Sequence, residues 1–323
     1  MKIVVLDGQV LNPGDISWEP LQALGELVVY PDTTQNDIAE RVQGADVVLV
    51  NKVRLGTPHF PALSRVRLIG LLATGYDNVD VAAFQTINVP VCNVVAYGIR
   101  DVAQHAFALL LELCNNCGLH NASVQAGKWR DTWCYWEKPL RCLTDLTIGI
   151  LGFGAIGRCV GQLANAFGMR VLACNRSQAN PPSYTPFAYV SAEELFARSD
   201  VISLHCPLTD QTRAIINEHT ISTMKPGVFI VNTARGALLD EEACAKALER
   251  GHIGGLACDV LAHEPPTQDN PLLRAKNTII TPHMAWATSH ARQNIIDLMA
   301  TNIANWFAGK PTNIVNAVSP QSR

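Results

Sequence analysis

Two short stretches of this 323-residue sequence have the residue types and spacing of a binding site, and three single residues further on carry groups that hold anions and move protons. In "ILGFGAIGR", Gly152, Gly154 and Gly157 form G-x-G-x-x-G directly after the apolar run "TIGIL" and at the head of a helical run that stops at Gly168. In that setting each glycine has a reason. The first permits the tight turn, the second lets backbone approach a dinucleotide pyrophosphate, and the third lets helix and strand pack closely. The amides that open the helix, from Ala155, Ile156 and Gly157, then face the phosphates with the helix dipole behind them. A purely structural strand–helix turn is the alternative. About twenty residues downstream, where such units place a carboxylate for the adenosine ribose, the sequence reads "CNRS". Asn175 removes the repulsion a carboxylate would exert on a 2′-phosphate, and Arg176 and Ser177 can donate to phosphate oxygens. One charge-assisted bond of this kind contributes about 1.5–3 kcal/mol. The stretch therefore predicts NADP(H) over NAD(H). The competing view leaves Arg176 a solvated residue and selectivity weak.

Arg235 in "VNTARGALLDEEA", Glu264 in "CDVLAHEPP" and His283 in "ITPHMAW" each end or follow an apolar run. Ligands of open α/β sheets sit at the carboxyl ends of strands, so these side chains could converge on one ligand. Singly, each has a plainer reading: Arg235 in a turn with surface ion pairs, Glu264 exposed before two prolines, His283 packed behind Pro282.

Holding such residues takes a framework. Over the first hundred residues, strand-like "KIVVLD", "GELVVYP", "ADVVLVN", "VRLIGLLAT" and "VPVCNV" alternate with helix-like "WEPLQALG", "QNDIAERVQG" and "VDVAAFQTIN". Such alternation with short turns argues for a parallel sheet covered on both faces. A second series, "LTIGILG", "MRVLACN", "DVISLHCP", "GVFIVNTA", "IGGLACDV" and "NTIITPH", gives six strands, the number usual for a doubly wound nucleotide fold. Between the series, "RDVAQHAFALLLELCNNCGLHNASVQAG" predicts one long helix ending at Gly127, followed by "KWRDTWCYWEKPLRC" with three tryptophans, read evenly as a loop capping a core or an interface arm. "ARQNIIDLMATNIANWFAG" predicts a terminal helix able to pack back on the first domain.

Composition narrows the class. A formal charge of −3 gives no reason to expect nucleic acid or an anionic membrane as partner. The N-terminal "MKIVVLDGQ" lacks the pattern of a signal peptide, and no apolar window is long enough for a membrane span, so the expected compartment is the cytoplasm. Most of the ten cysteines, such as Cys114, Cys174 and Cys258, sit in apolar stretches, and no disulfide is expected. Cys114, Cys117 and His120 would share one helix and read as helix-face groups, so no metal site is predicted.

"ILGFGAIGR", "VNTARGALLDEEA", "GGLACDVLAHEPP", "DNPLL" and "NTIITPHMAW", in this order and at suitable spacing, resemble the blocks of the D-isomer-specific 2-hydroxyacid dehydrogenase family, and "LLATGYDNVD" resembles that family's first-domain loop. The similarity covers essentially the whole chain. The opening "VVLDGQVLNPGDISWEPLQALGE" is similar to the glycerate dehydrogenase (hydroxypyruvate reductase) branch. The resemblance implies an α/β protein with two doubly wound parallel-sheet domains: a flavodoxin-like substrate domain of residues 1–98 and 288–323, and a Rossmann coenzyme domain of residues 99–287, with the active-site cleft between them.

By motif position the resemblance also implies roles. Arg235 would hold the substrate carboxylate and polarise the keto oxygen, His283 would protonate that oxygen as hydride arrives, and Glu264 would bond the imidazole and favour its charged form. Backbone amides around Thr74 and Gly75 would bind the carboxylate, with Asn51 and Lys52 facing the same cleft; an exposed lysine is the plainer reading of Lys52. Asp259 would accept from the nicotinamide carboxamide, Cys206, Pro207 and Thr212 would line adenosine and phosphates, and Thr233 and Ala234 would border the nicotinamide. Gln104 departs from the family, which commonly has Glu there. The implied protein is a cytoplasmic, usually dimeric enzyme using NADPH, or NADH, to reduce a small 2-keto acid, hydroxypyruvate or glyoxylate, to the D-2-hydroxy acid. The alternative is a nucleotide-sensing corepressor of the same fold, against which the lack of extended basic or disordered tails argues.

Overall fold

A run such as "VVLV", Val47–Val50, is apolar at every position, which a strand tolerates only when both its faces are covered. The computed structural model, which describes residues 1–318, contains two sheets built of such strands. The chain divides into two compact units, one of Met1–Gly98 with the segment from Trp286 onward, the other Ile99–Ala285. The division at Ala285 falls two residues before the expected end at 287. Residues 319–323 of the expected segment 288–323 lie outside the described residues.

The first unit holds β1 (Lys2–Val5), β2 (Glu26–Val29), β3 (Val47–Val50), β4 (Leu68–Leu71) and β5 (Val91–Cys92) in the order β2-β1-β3-β4-β5, all parallel. This is the flavodoxin-like order. Val4, Val48, Val50, Ile69 and Leu71 enter one core, while their neighbours Ile3, Val5, Val47 and Leu49 are buried as well, so helices cover both faces. The helices are shorter than the sequence suggests: Glu19–Gln22, Ile38–Arg41 and Val81–Thr86 each span only part of their amphipathic run. The terminal helix Ser289–Phe307 packs on this unit, as its pattern predicts. It buries Ile295, Ile296, Met299 and Ile303, brings Met299 to 3.9 Å from the Cys92 thiol, and directs Asn302 Nδ2 to the Asn93 carbonyl. Near its start Arg292, 7% exposed, donates to both Asp15 oxygens and to the Leu11 carbonyl.

The second unit contains β6 (Thr147–Leu151), β7 (Arg170–Cys174), β8 (Phe187–Tyr189), β9 (Val201–Leu204), β10 (Val228–Asn232), β11 (Ile253–Cys258) and β12 (Thr278–Ile280). Their order is β12-β11-β10-β9-β6-β7-β8, again parallel, so the chain reverses direction across the sheet between β6 and β9. Alternate residues sort to opposite faces: Ile202, Leu204, Ile230 and Leu256 on one, Val201, Val231 and Ala257 on the other.

Two expectations need correction here. The sheet has seven strands rather than six. The missed β8 is three residues long, follows the proline-interrupted "PPSYTP", and is held as an aromatic edge by contacts of Phe187 with Phe153, Tyr184 and Tyr189. The single long helix is two, Ile99–Asn115 and Cys117–Gln125, because Asn116 takes a left-handed φ of 49°. Asparagine tolerates that conformation better than most residues, and no strong breaker marks it in the sequence. The break separates buried Cys114 from exposed Cys117 and leaves His120 bonding the Asn116 carbonyl (2.8 Å) and the Glu137 amide (3.1 Å).

Candidate active site

The glycine loop leaves β6 at the point where the strand order reverses, where open α/β sheets bind their ligands. Gly152 adopts φ 95°, and a side chain there would strike the backbone of Cys206 at 2.4 Å. A side chain on Gly157 would strike the Gly152 carbonyl at 2.2 Å. Gly154 differs: it is exposed, and a Cβ would meet nothing within 4 Å, so the protein itself does not demand glycine there. It caps the helix Ala155–Ala166 without a side-chain acceptor for the first-turn amides. An open cradle at uncapped amides fits a pyrophosphate. A second observation agrees: the buried hydroxyl of Thr233, just past β10, has no hydrogen-bond partner among the described residues. The residues present therefore fit a dinucleotide.

Asn175, just after β7, is tied at both ends. Its Oδ1 accepts from the Phe153 amide (3.3 Å), and its Nδ2 donates to the Ser177 carbonyl (2.8 Å). The amide thereby links the glycine loop to the loop that carries exposed Arg176 and Ser177. Arg158, which the sequence reading passed over, braces the same loop by donating to the carbonyls of Asn180 (2.6 Å) and Ala179 (2.9 Å) while lying over the Phe153 ring. Past β9, Cys206 turns its thiol into the core, where burial pushes it up to about 11, and only Pro207 is exposed. Thr212 closes its own turn through the Pro207 carbonyl (2.7 Å).

The three polar residues all stand on loops after strands of this sheet. Asn232, fully buried at the end of β10, shapes the first loop: its Oδ1 accepts from the Ala234 amide (3.0 Å) and its Nδ2 donates to the Arg235 carbonyl (2.9 Å). Such a turn is the ordinary work of a strand-end asparagine, which the sequence reading missed. Gly236 follows because a Cβ there would lie 1.9 Å from the Leu261 backbone, so the Arg235 loop is pressed against the loop of Glu264. Glu241 braces that second loop, accepting from the Ala262 amide (2.8 Å) and the Asn270 side chain (2.9 Å). Glu264 Oε1 accepts from the Leu261 amide (3.0 Å), and its Oε2 lies 2.5 Å from His283 Nδ1. Imidazole and carboxylate are each about one-third exposed, at 31% and 35%.

Asp259, at the end of β11, is 1% exposed. Its carboxylate, expected to face the nicotinamide carboxamide, is turned to the His283 turn. It accepts from the Thr281 hydroxyl (2.6 Å) and from the amides of Met284 (2.9 Å) and Ala285 (2.8 Å). Burial alone would raise this carboxyl. The bonds from His105, Thr281 and the two amides outweigh it and hold the group below the ordinary carboxylate value.

In the first unit, Asp7 at the end of β1 accepts from the amides of Asn51 (2.8 Å), Lys52 (2.5 Å) and Val53 (2.8 Å), which fixes the loop after β3. Asn51 is buried and donates to the Leu72 carbonyl (2.9 Å), whereas Lys52 is exposed. The Thr74 hydroxyl donates to the Val94 carbonyl (2.7 Å), and Gly75 beside it is half-buried. Neither Asp7 nor Asn232 was legible as a hub, because their partners are backbone amides and carbonyls.

Fold and site define a dinucleotide-binding oxidoreductase. Residues 107–285 match the family described as "D-isomer specific 2-hydroxyacid dehydrogenase, NAD binding domain". A hydroxypyruvate reductase of Blautia hydrogenotrophica is 43% identical over 321 residues, covering 98% of this chain and 100% of that one. A glycerate dehydrogenase of Methylorubrum extorquens is 36% identical over 321 residues, covering 98% and 99%. Among solved structures, an acyclic imino acid reductase in complex with NADPH and D-Arg superposes with a TM-score of 0.85 at 30% identity, covering 98% of this chain and 100% of that one. The chain belongs to the D-isomer-specific 2-hydroxyacid dehydrogenase family. It is an oxidoreductase acting on 2-hydroxy or 2-keto acids with a nicotinamide cofactor, and the corepressor alternative is not favoured.

Proposed function

We propose that this enzyme reduces hydroxypyruvate and glyoxylate to the corresponding D-2-hydroxy acids, with NADPH preferred over NADH. The observation that carries the chemistry is the 2.5 Å pair of His283 Nδ1 and Glu264 Oε2. With Nδ1 committed to the carboxylate, Nε2 is the atom that exchanges a proton with the substrate oxygen. Hydride attack on a ketone builds negative charge on that oxygen, so a proton donor and a fixed cation must be in place. Arg235 is the cation and also holds the substrate carboxylate. In the reverse direction neutral His283 takes the alcohol proton. The coenzyme, when bound, supplies or accepts the hydride. Gly154, Ala155, Ile156 and Gly157 would hold its pyrophosphate, Thr233 and Ala234 would border its nicotinamide, and Asn175, Arg176 and Ser177 would receive its 2′-phosphate.

The substrate reading is supported by relatives named hydroxypyruvate reductase and glycerate dehydrogenase. The coenzyme reading is supported by the absence of a carboxylate at position 175 and the exposed Arg176 beside it. We further infer a cytoplasmic homodimer. All ten cysteines are free thiols, and among the described residues no helix is long and apolar enough to cross a membrane. Trp129, Trp133 and Trp136 are 52%, 97% and 64% exposed on one arm, a patch rich in a residue type enriched at interfaces. The test is a panel of 2-keto acids assayed with NADPH and NADH through the absorbance of the reduced coenzyme. Hydroxypyruvate and glyoxylate should give the highest kcat/KM, and NADPH should exceed NADH with both. Turnover confined to bulky keto acids, or a clear NADH advantage, sinks the corresponding half of the proposal.

A further inference from the structure

His283 sits at φ 53°, in the left-handed region that residues with a β-carbon avoid. Something must hold it there. Its amide reaches the carbonyls of Asp259 (2.8 Å) and Thr281 (3.0 Å). The next two amides, of Met284 and Ala285, end on the two oxygens of the Asp259 carboxylate. That carboxylate is oriented in turn by the Thr281 hydroxyl, which donates to Oδ1 at 2.6 Å. His105, on the helix Ile99–Asn115, completes the chain: its Nε2 lies 3.0 Å from Thr281 Oγ1 and 3.5 Å from Asp259 Oδ1. Since the Thr281 proton is committed to Asp259, the bond between His105 and Thr281 has the imidazole N–H as donor.

We infer that Thr281, supported by His105 and acting through Asp259, is a positioning residue that holds the His283 turn so that the imidazole meets Glu264. The inference rests on the reading of His283 as the proton donor. Asp259 thereby acquires a task besides any contact it makes with coenzyme: it converts one hydroxyl bond into a fixed turn. Without the Thr281 hydroxyl, Oδ1 keeps the Met284 amide but loses its support from the helix side. The imidazole then spends less time in line with Glu264, and the proton-coupled step slows while coenzyme still binds.

The experiment compares full-length Thr281→Val, which keeps the shape and removes the hydroxyl, with Thr281→Ser, which restores it, and with His283→Ala and the double variant. It measures kcat, KM, coenzyme Kd by tryptophan fluorescence, and the primary isotope effect with 4-deuterated reduced coenzyme. Thr281→Val should lower kcat about ten- to a hundredfold with coenzyme Kd changed less than about threefold, and should enlarge the isotope effect as hydride transfer becomes slower. Thr281→Ser should return kcat to within about threefold, and Thr281→Val should add nothing in the His283→Ala background. His105→Leu, one bond further out, should give the same pattern with a smaller factor, and it serves as the test if Thr281→Val does not fold. Wild-type kcat in the folded variant, an equal further loss without His283, or coenzyme affinity falling in step with kcat overturns the inference. Wild-type turnover in His283→Ala instead overturns the functional reading on which it rests.

Discussion

The proposed preference for NADPH turns at Asn175 on one atom exchanged for another. Its Oδ1 does what a carboxylate oxygen would also do, accepting from the Phe153 amide, so the exchange leaves the glycine loop tied. What changes is charge, beside a loop whose Arg176 is exposed. Asn175→Asp should therefore lower kcat/KM for NADPH relative to NADH by about ten- to a hundredfold, the size of one charge-assisted bond lost to repulsion. Arg176→Ala should raise KM for NADPH alone. Steady-state kinetics with both coenzymes checks this, and an unchanged ratio in both variants would remove these residues from coenzyme selection. At this scale the sequence was informative on the pairing of Glu264 with His283, which the family-like blocks around them imply and which the structure places at 2.5 Å. It was silent on Asp7, Asn232, His105 and Thr281, whose bonds run to backbone or to residues far along the chain, as the 176-residue separation of His105 from Thr281 shows.

Among the elements, strands were the most legible, because parallel strands buried on both faces read as unbroken apolar runs. β8 escaped because an edge strand of three residues has no period to detect. The helix break at Asn116 escaped because nothing in "CNNC" separates a residue that turns left-handed from one that does not. The break redirects the chain toward the tryptophan arm, and the arm is built rather than loose. Glu137 accepts from Lys128 (2.7 Å) and from the Ser123 hydroxyl, bonds that hold its carboxyl below the ordinary value, and Lys138 reaches Asn277 (2.7 Å). An ordered arm that still exposes Trp133 almost completely supports the proposal that the arm forms the dimer interface. The combined Trp133→Ser and Trp136→Ser variant should shift the protein from dimer to monomer in light scattering after size exclusion, with its circular dichroism unchanged. An unaltered mass would show that the arm is not the interface.

For the whole molecule, acid should weaken the two units unequally. His205, at the end of β9 in the Ile99–Ala285 unit, bonds Ser203 (2.7 Å), and burial lowers its pKa from 6.5 to about 4. The native state therefore keeps this imidazole neutral while the unfolded chain protonates it. Its contribution is complete above about pH 6.5 and is lost as pH falls toward about 4, at up to about 1.4 kcal/mol for each pH unit crossed. Asp15 of the other unit is also lowered, by its bonds from Arg292, but a lowered carboxyl keeps its contribution until pH falls below the ordinary carboxylate value of 3.8. Between pH 6.5 and 4.5 the unit that carries the glycine loop should thus weaken while the Asp15–Arg292 pair of the other is untouched. His205→Gln keeps a group able to bond Ser203 and removes the titration. In thermal melts from pH 7.5 to 4.5, the midpoint of the wild-type protein should fall more steeply than that of the variant. The two should differ least at the acid end, where the wild-type advantage has been titrated away. Parallel curves across that range would mean that His205 is protonated alike in the folded and unfolded chain.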